Sequence, residues 1–263
     1  MKMVKKILVG MLVLAAALSV TSCVKDDDKN AIKGSGKKYS IDFTNEETDA
    51  YRAYKATALK HAGALVKVTF NAKECGTSKL GVIFDLKDAA SGIKGAKDFY
   101  AIAFGMENDG CFYVSKFTDI TDIQAKNFGA STTAKAGEPK ETEYVTYGST
   151  RGNKIKFPAA AADGSTSLYI YYYAVYDGSF VWSIYNLTDE EAATYNSQAG
   201  MLTAAVTPLD SGIITGAFEP VAITEANKVP QNKIAVYAQV APGKSLDGNW
   251  NFVGTYLEAE DAE

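Results

Sequence analysis

Apolar residues in this chain fall mostly in short runs of period two, separated by turn signals. Val66-Lys67-Val68-Thr69-Phe70 alternates apolar and polar, as a half-buried strand does. Leu80 to Leu86 is more continuously apolar. Phe99–Gly105 and Cys111–Phe117 flank Glu107-Asn108-Asp109-Gly110, whose Asp-Gly favours a tight hairpin turn. Leu168–Tyr176 and Ser179–Tyr185 flank Asp177-Gly178, a second hairpin of the same kind. Lys233–Val240 and Trp250–Leu257 are the last two strands. Hairpins in series, without alternating helices, predict an all-β, two-sheet antiparallel sandwich with one or two short helices. Thr188 followed by Glu191 is a capping box for a short helix inserted between strands. Glu46–His61 reads either as a helix capped by Asn45 or Thr44, or as an irregular strand. Ser131–Lys140 and Pro158–Ser167 read as loops.

Within the run Leu168–Tyr176, period two separates two faces. Leu168, Ile170, Tyr172 and Ala174 share the face expected in the core. Tyr169, Tyr171 and Tyr173 share the other and form an aromatic stripe. Tyrosine joins a large apolar ring to a polar tip, so such a stripe suits sugar stacking or a protein epitope. A stripe covered by a neighbouring loop fits the same pattern. After Asp177-Gly178, Phe180, Trp182 and Ile184 face one way and Val181, Ser183 and Tyr185 the other.

The N-terminus follows a different pattern. Lys2, Lys5 and Lys6 precede an uncharged run from Ile7 to Ser22, the layout of a secretory signal. Its strongly apolar part, Ile7–Leu18, is shorter than the about 20 residues a membrane span needs. Val20-Thr21-Ser22-Cys23 resembles the lipobox of bacterial lipoproteins, with Val20 where leucine is commoner. The resemblance implies that Cys23 receives a diacylglyceryl group and becomes the first residue. The expected organisation is then a signal peptide over 1–22, lipidated Cys23 and a flexible Gly/Ser- and Asp-rich tether over 23–38, a β-sandwich over 39–257 and an acidic tail over 258–263. It places the domain outside the cytoplasm, on a bacterial membrane, with the outer membrane or cell surface favoured.

Cleavage takes three lysines with it and moves the net charge from −4 to −7, which excludes a general nucleic-acid binder. Two cysteines remain in an oxidising compartment. Cys75 and Cys111 either pair, stabilising by about 3–4 kcal/mol, or stay separate thiols.

The strand series resembles concanavalin-A-like or laminin-G-like jelly rolls. Gly81-Val82-Ile83-Phe84-Asp85, then Asp98–Phe104, then Gly110–Lys116 follow that family's opening pattern. Leu168–Ile170 to Gly178–Trp182, then Lys233–Tyr237, then Asn249-Trp250-Asn251-Phe252 approximate its later hairpin and closing motif. Asn232-Lys233 stands where the family carries glycine. The resemblance covers about two-thirds of the mature chain and implies a jelly-roll sandwich; function does not follow from fold.

Chemistry for catalysis is sparse. His61 is the single histidine, in a segment without a nucleophile elbow, and one histidine excludes multi-histidine zinc sites. No strand carries the Glu-x-Asp-x-x-Glu carboxylates of jelly-roll glycosidases. Glu46-Glu47 and Asp189-Glu190-Glu191 fit solvated or helix-capping roles. No cofactor is expected. Asp85, Asp88, Asp98, Asp119 and Asp122 are either turn residues or contributors to a calcium site. Three functional classes remain: a noncatalytic module binding a glycan or a protein through Tyr169, Tyr171 and Tyr173; a structural or assembly lipoprotein; and a carbohydrate-active hydrolase.

Overall fold

The structure is a computed structural model, and it describes residues 31–48, 50–58, 63–71, 78–84, 99–105, 111–118, 140–143, 153–154, 157–174, 179–197, 200–214 and 233–254. Cys23, His61, Cys75, the calcium-candidate aspartates and the acidic tail lie outside the described residues. So does the side chain of Cys111, so its pairing is not described either.

Two antiparallel sheets form the fold. The front sheet has seven strands in the order β1 (Ile32–Ser35), β2 (Lys38–Thr44), β16 (Ser245–Val253), β4 (Gly63–Phe70), β10 (Thr166–Ala174), β11 (Phe180–Tyr185) and β14 (Asp210–Ile214). The back sheet runs β3 (Tyr51–Ala58), β15 (Lys233–Val240), β5 (Lys79–Phe84), β6 (Phe99–Gly105), β7 (Cys111–Thr118) and β8 (Lys140–Glu143), with β9 (Asn153–Lys154) also against β7. The chain crosses between sheets at β2–β3, β3–β4, β4–β5, β9–β10, β14–β15 and β15–β16. The result is the antiparallel sandwich that the hairpin series predicts.

Alternation explains why the sheets meet. The inward side chains of β16 are Leu246, Trp250 and Phe252, all buried; its outward ones are polar from Ser245 to Asn251 and end on Val253. Aromatic pairs span the interior: Phe70–Phe104 with centroids 5.8 Å apart, Tyr100–Phe180 at 5.2 Å and Phe112–Trp182 at 5.4 Å. Trp250 Nε1 donates to the Gly81 carbonyl at 2.7 Å, a buried polar staple between the sheets.

Two expectations change. Glu46–His61 resolves to the strand reading, with β3 paired to β15 from Tyr51 to Ala58. Asn45 caps no helix. Its Nδ2 donates to the Val240 carbonyl at 3.0 Å, its Oδ1 accepts from the Glu47 N–H at 3.1 Å, and its backbone bonds Gly243 and Lys244 at 2.9 Å each. It thus fastens the end of β2 to the β15–β16 turn. The stretch Gly34-Ser35-Gly36-Lys37-Lys38 is likewise not tether. It is the turn of the β1–β2 hairpin, with Gly34 at φ 106° and Gly36 at φ 62°, a region L side chains avoid. Glycine and serine here serve a turn, and β1 starts at Ile32.

Helix α1 (Asp189–Ala193) carries the expected capping box: Thr188 Oγ1 accepts from the Glu191 N–H at 3.1 Å and the Glu191 carboxylate accepts from the Thr188 N–H at 2.8 Å. With β12 (Tyr195–Asn196) and β13 (Met201–Leu202) it forms an insertion between β11 and β14.

Candidate functional site

The outward face of the front sheet holds the aromatic stripe, and the structure divides that face in two. Register aligns its outward residues in rows across the strands. One row is Val253–Leu65–Tyr171–Ser183, and the next is Gly63–Tyr173–Val181–Ile213. The insertion after β11 packs over Val253, Leu65, Tyr171 and Tyr173, while Ile213 at the edge strand stays 64% exposed. Leu65, Tyr169, Leu187, Ala192 and Tyr195 make a buried cluster, with Tyr171, Tyr185, Leu202, Val206 and Val253 packed against it.

The stripe therefore faces away from the sandwich core, as expected, but it is not an open platform. Tyr169 is 1% exposed, so its ring offers no face for stacking. Its hydroxyl donates to Asp189 Oδ1 at 3.0 Å, and Lys67 Nζ meets the same oxygen at 2.7 Å. The Lys67 ammonium also stands 5.7 Å from the Tyr169 ring centroid. Hydrogen bonds from Lys67 and Tyr169 hold the Asp189 carboxyl below the usual carboxylate range. Burial pushes the Tyr169 phenol up, and the hydrogen bond to Asp189 adds to the shift.

Tyr171 is half-buried; its hydroxyl donates to the Gly200 carbonyl at 2.7 Å, and its ring lies edge-on to Tyr195 at 6.3 Å. Burial, then the neighbouring Tyr185 and Tyr173, push its pKa up to about 12. Tyr173 is held between two glycines. A Cβ on Gly200, which sits at φ +62°, would lie 2.3 Å from its ring, and one on Gly63 2.9 Å. Tyr195 is buried, and its hydroxyl finds no hydrogen-bond partner among the described residues. Such a group costs about 1–3 kcal/mol. What closes over the stripe is a second, outer core.

The other half of the face is open. Its central row is Ser40–Asn249–Thr69–Ser167, across β2, β16, β4 and β10. On one side run Lys38, Asn251 and Lys67; on the other, Asp42 stands directly opposite Asp247. These side chains are exposed or half-buried, and none is apolar. Thr69 Oγ1 and Ser167 Oγ lie 2.8 Å apart, so part of the grid is already oriented.

Sequence reading missed this half. The period-two alternation Tyr39-Ser40-Ile41-Asp42-Phe43 marks β2 plainly, and Leu246, Trp250 and Phe252 mark β16 from its first residues. The Asp, Gly and Asn between them hid the first part of that strand, because those residues are depleted in strands; it is expected from Trp250 and starts at Ser245. Among the described residues, no three His, Cys, Asp or Glu side chains group as metal ligands do.

No family model matches the chain, and no curated protein is significantly similar in sequence. Among solved structures, it is similar to a functionally unknown protein from Saccharomyces cerevisiae, at 9% identity and TM-score 0.37 over 90% of this chain and 96% of that one. It is also similar to the CBM2 module of the evolved Dit of Lactobacillus casei BL23 phage J-1, at 6% identity and TM-score 0.33 over 84% and 70%. A third is the T. cruzi calreticulin globular domain, at 11% identity and TM-score 0.35 over 90% and 82%. Scores this low leave the description of the fold to the strands and their register.

Proposed function

We propose that this chain is a noncatalytic, extracytoplasmic binding module, held to a bacterial membrane by lipid on Cys23, that recognises a glycan or a protein through the front sheet. The observation that supports it is the division of the outward face. The insertion covers the tyrosine-bearing part of the apolar half, while the polar half stays open and carries rows of aligned hydrogen-bonding side chains. Tyr169, Tyr171 and Tyr173 support the site in this reading by anchoring the insertion, rather than by touching ligand.

The test pairs a glycan array and a cross-linking capture with a turnover assay on the full chain. Binding without turnover is the expected result. Hydrolysis of a bound glycan assigns an enzyme instead, and silence in all three assays leaves a structural lipoprotein. For the anchor, Cys23→Ala abolishes fatty-acid labelling and releases the protein from membranes; retained labelling contradicts the lipobox reading.

A further inference from the structure

The open half of the front sheet is polar along its whole length, and only part of it is tied by cross-strand hydroxyl pairs, Thr44–Ser245 and Thr69–Ser167, each 2.8 Å apart. Strand β16 is hydrogen-bonded on both sides, to β2 and to β4. Its outward positions before Val253, which belongs to the covered half, are nevertheless Ser245, Asp247, Asn249 and Asn251. Aspartate and asparagine are poor strand residues, on a scale that spans about 1 kcal/mol per position. Asp42 and Asp247 then stand directly opposite each other, where like charges repel. The inward Leu246, Trp250 and Phe252 hold the strand in place despite this. Departures from local rules without a packing gain concentrate at functional surfaces.

The chemistry of the rows discriminates among ligands. A protein partner needs buried aromatic or aliphatic anchors, and the rows have none. A nucleic acid needs a basic face, whereas the paired aspartates and the net charge of −7 after processing oppose it. Serine and threonine hydroxyls and the asparagine carboxamide both donate and accept, and the two carboxylates accept only. That combination matches groups that also donate and accept on adjacent carbons, namely the hydroxyls of a neutral sugar. Strands spaced 4.7–4.9 Å apart make the four-residue row about 14 Å long, the length of about two or three sugar rings.

We propose that the open half of the front sheet is a platform for a neutral, hydroxyl-rich oligosaccharide, with Ser40, Asn249, Thr69 and Ser167 as its hydrogen-bonding floor and Asp42 and Asp247 as acceptors for paired hydroxyls. The inference rests on the binding-module reading above and names its ligand class and contact residues. A flat site without a stacking ring binds weakly per molecule. Lipid-anchored copies facing a polymeric glycan gain by multivalency.

The test titrates the full chain, kept in a detergent without sugar headgroups, with trisaccharides of glucose, mannose, galactose and N-acetylglucosamine. Each titration is run with and without a calcium chelator. The expected result is saturable, chelator-insensitive binding of at least one trisaccharide, weakened about tenfold by Asn249→Ala, the scale of one or two lost hydrogen bonds. Asp247→Asn is the sharper variant. It removes one of two like charges in register, so the free protein is expected to melt at a higher temperature while its affinity for the sugar falls. A merely structural Asp247 would not couple a gain in stability to a loss of binding.

Binding unchanged by both variants overturns the proposal, as does binding that requires calcium. If every sugar fails but a cross-linker at position 249 captures a protein, the ligand class is wrong and the binding-module reading stands. If both fail, the two fall together.

Discussion

The two halves of the front sheet's outward face are built from the same strands, yet one is an outer core and the other meets solvent. Strand β4 contributes Leu65 to the covered half and Thr69 to the open half. Strand β10 contributes Tyr171 and Tyr173 to the first and Ser167 to the second. Tyr169 sits at the border, under the Lys67–Asp189 clasp. An outward aromatic stripe is thus evidence that something apolar belongs on it, not that a ligand does. Here the chain supplies the cover itself, from the insertion that begins just after β11.

The largest effect that sharpens this contrast is expected from Tyr169→Ser. Truncating a buried aromatic side chain costs about 3–5 kcal/mol, read from urea unfolding. A loss under about 1 kcal/mol would mean that the insertion does not pack as described. Gly200→Ala is expected to cost about 2 kcal/mol or more, because it combines a left-handed backbone with a contact against the Tyr173 ring. Its signature is faster amide exchange in 187–206 with the sandwich interior unchanged.

Alkaline pH should act on the same half. The folded-state pKa of Tyr171 lies above its unfolded value, so its contribution to stability is complete below about pH 10 and is lost as pH rises toward 12. Phenolate absorbance should therefore rise together with unfolding of the cover; ionisation of all tyrosines near pH 10 without unfolding contradicts the burial described. The smallest effect has the opposite sign. Tyr195→Phe removes a buried hydroxyl without a partner and should stabilise by about 1 kcal/mol.

Sequence made some of this legible and hid the rest for physical reasons. The hairpins β6–β7 and β10–β11, the strand β15 and the capping box of α1 were each marked by a local signal: alternation, Asp-Gly or Thr-x-x-Glu. The two faces of β10 were also legible, since period two is a local property. Whether the outward one was covered was not, because the cover comes from another segment of chain and its docking is a tertiary fact. Gly34 and Gly36 read as linker because the same residues serve flexible chain and positive-φ turns. The open grid was the least legible element. Its residues sit on four strands distant in sequence and align only through the sheet's register.

The central claim is that ligand meets the open polar half and not the tyrosines. The most direct measurement is amide hydrogen exchange of the full chain with and without a bound trisaccharide. The account predicts added protection around Ser40–Asp42, Thr69, Ser167 and Asp247–Asn249, with Tyr171, Tyr173 and the insertion unchanged. Protection confined to the insertion and the tyrosine rows, with β2 and β16 unaffected, would contradict it.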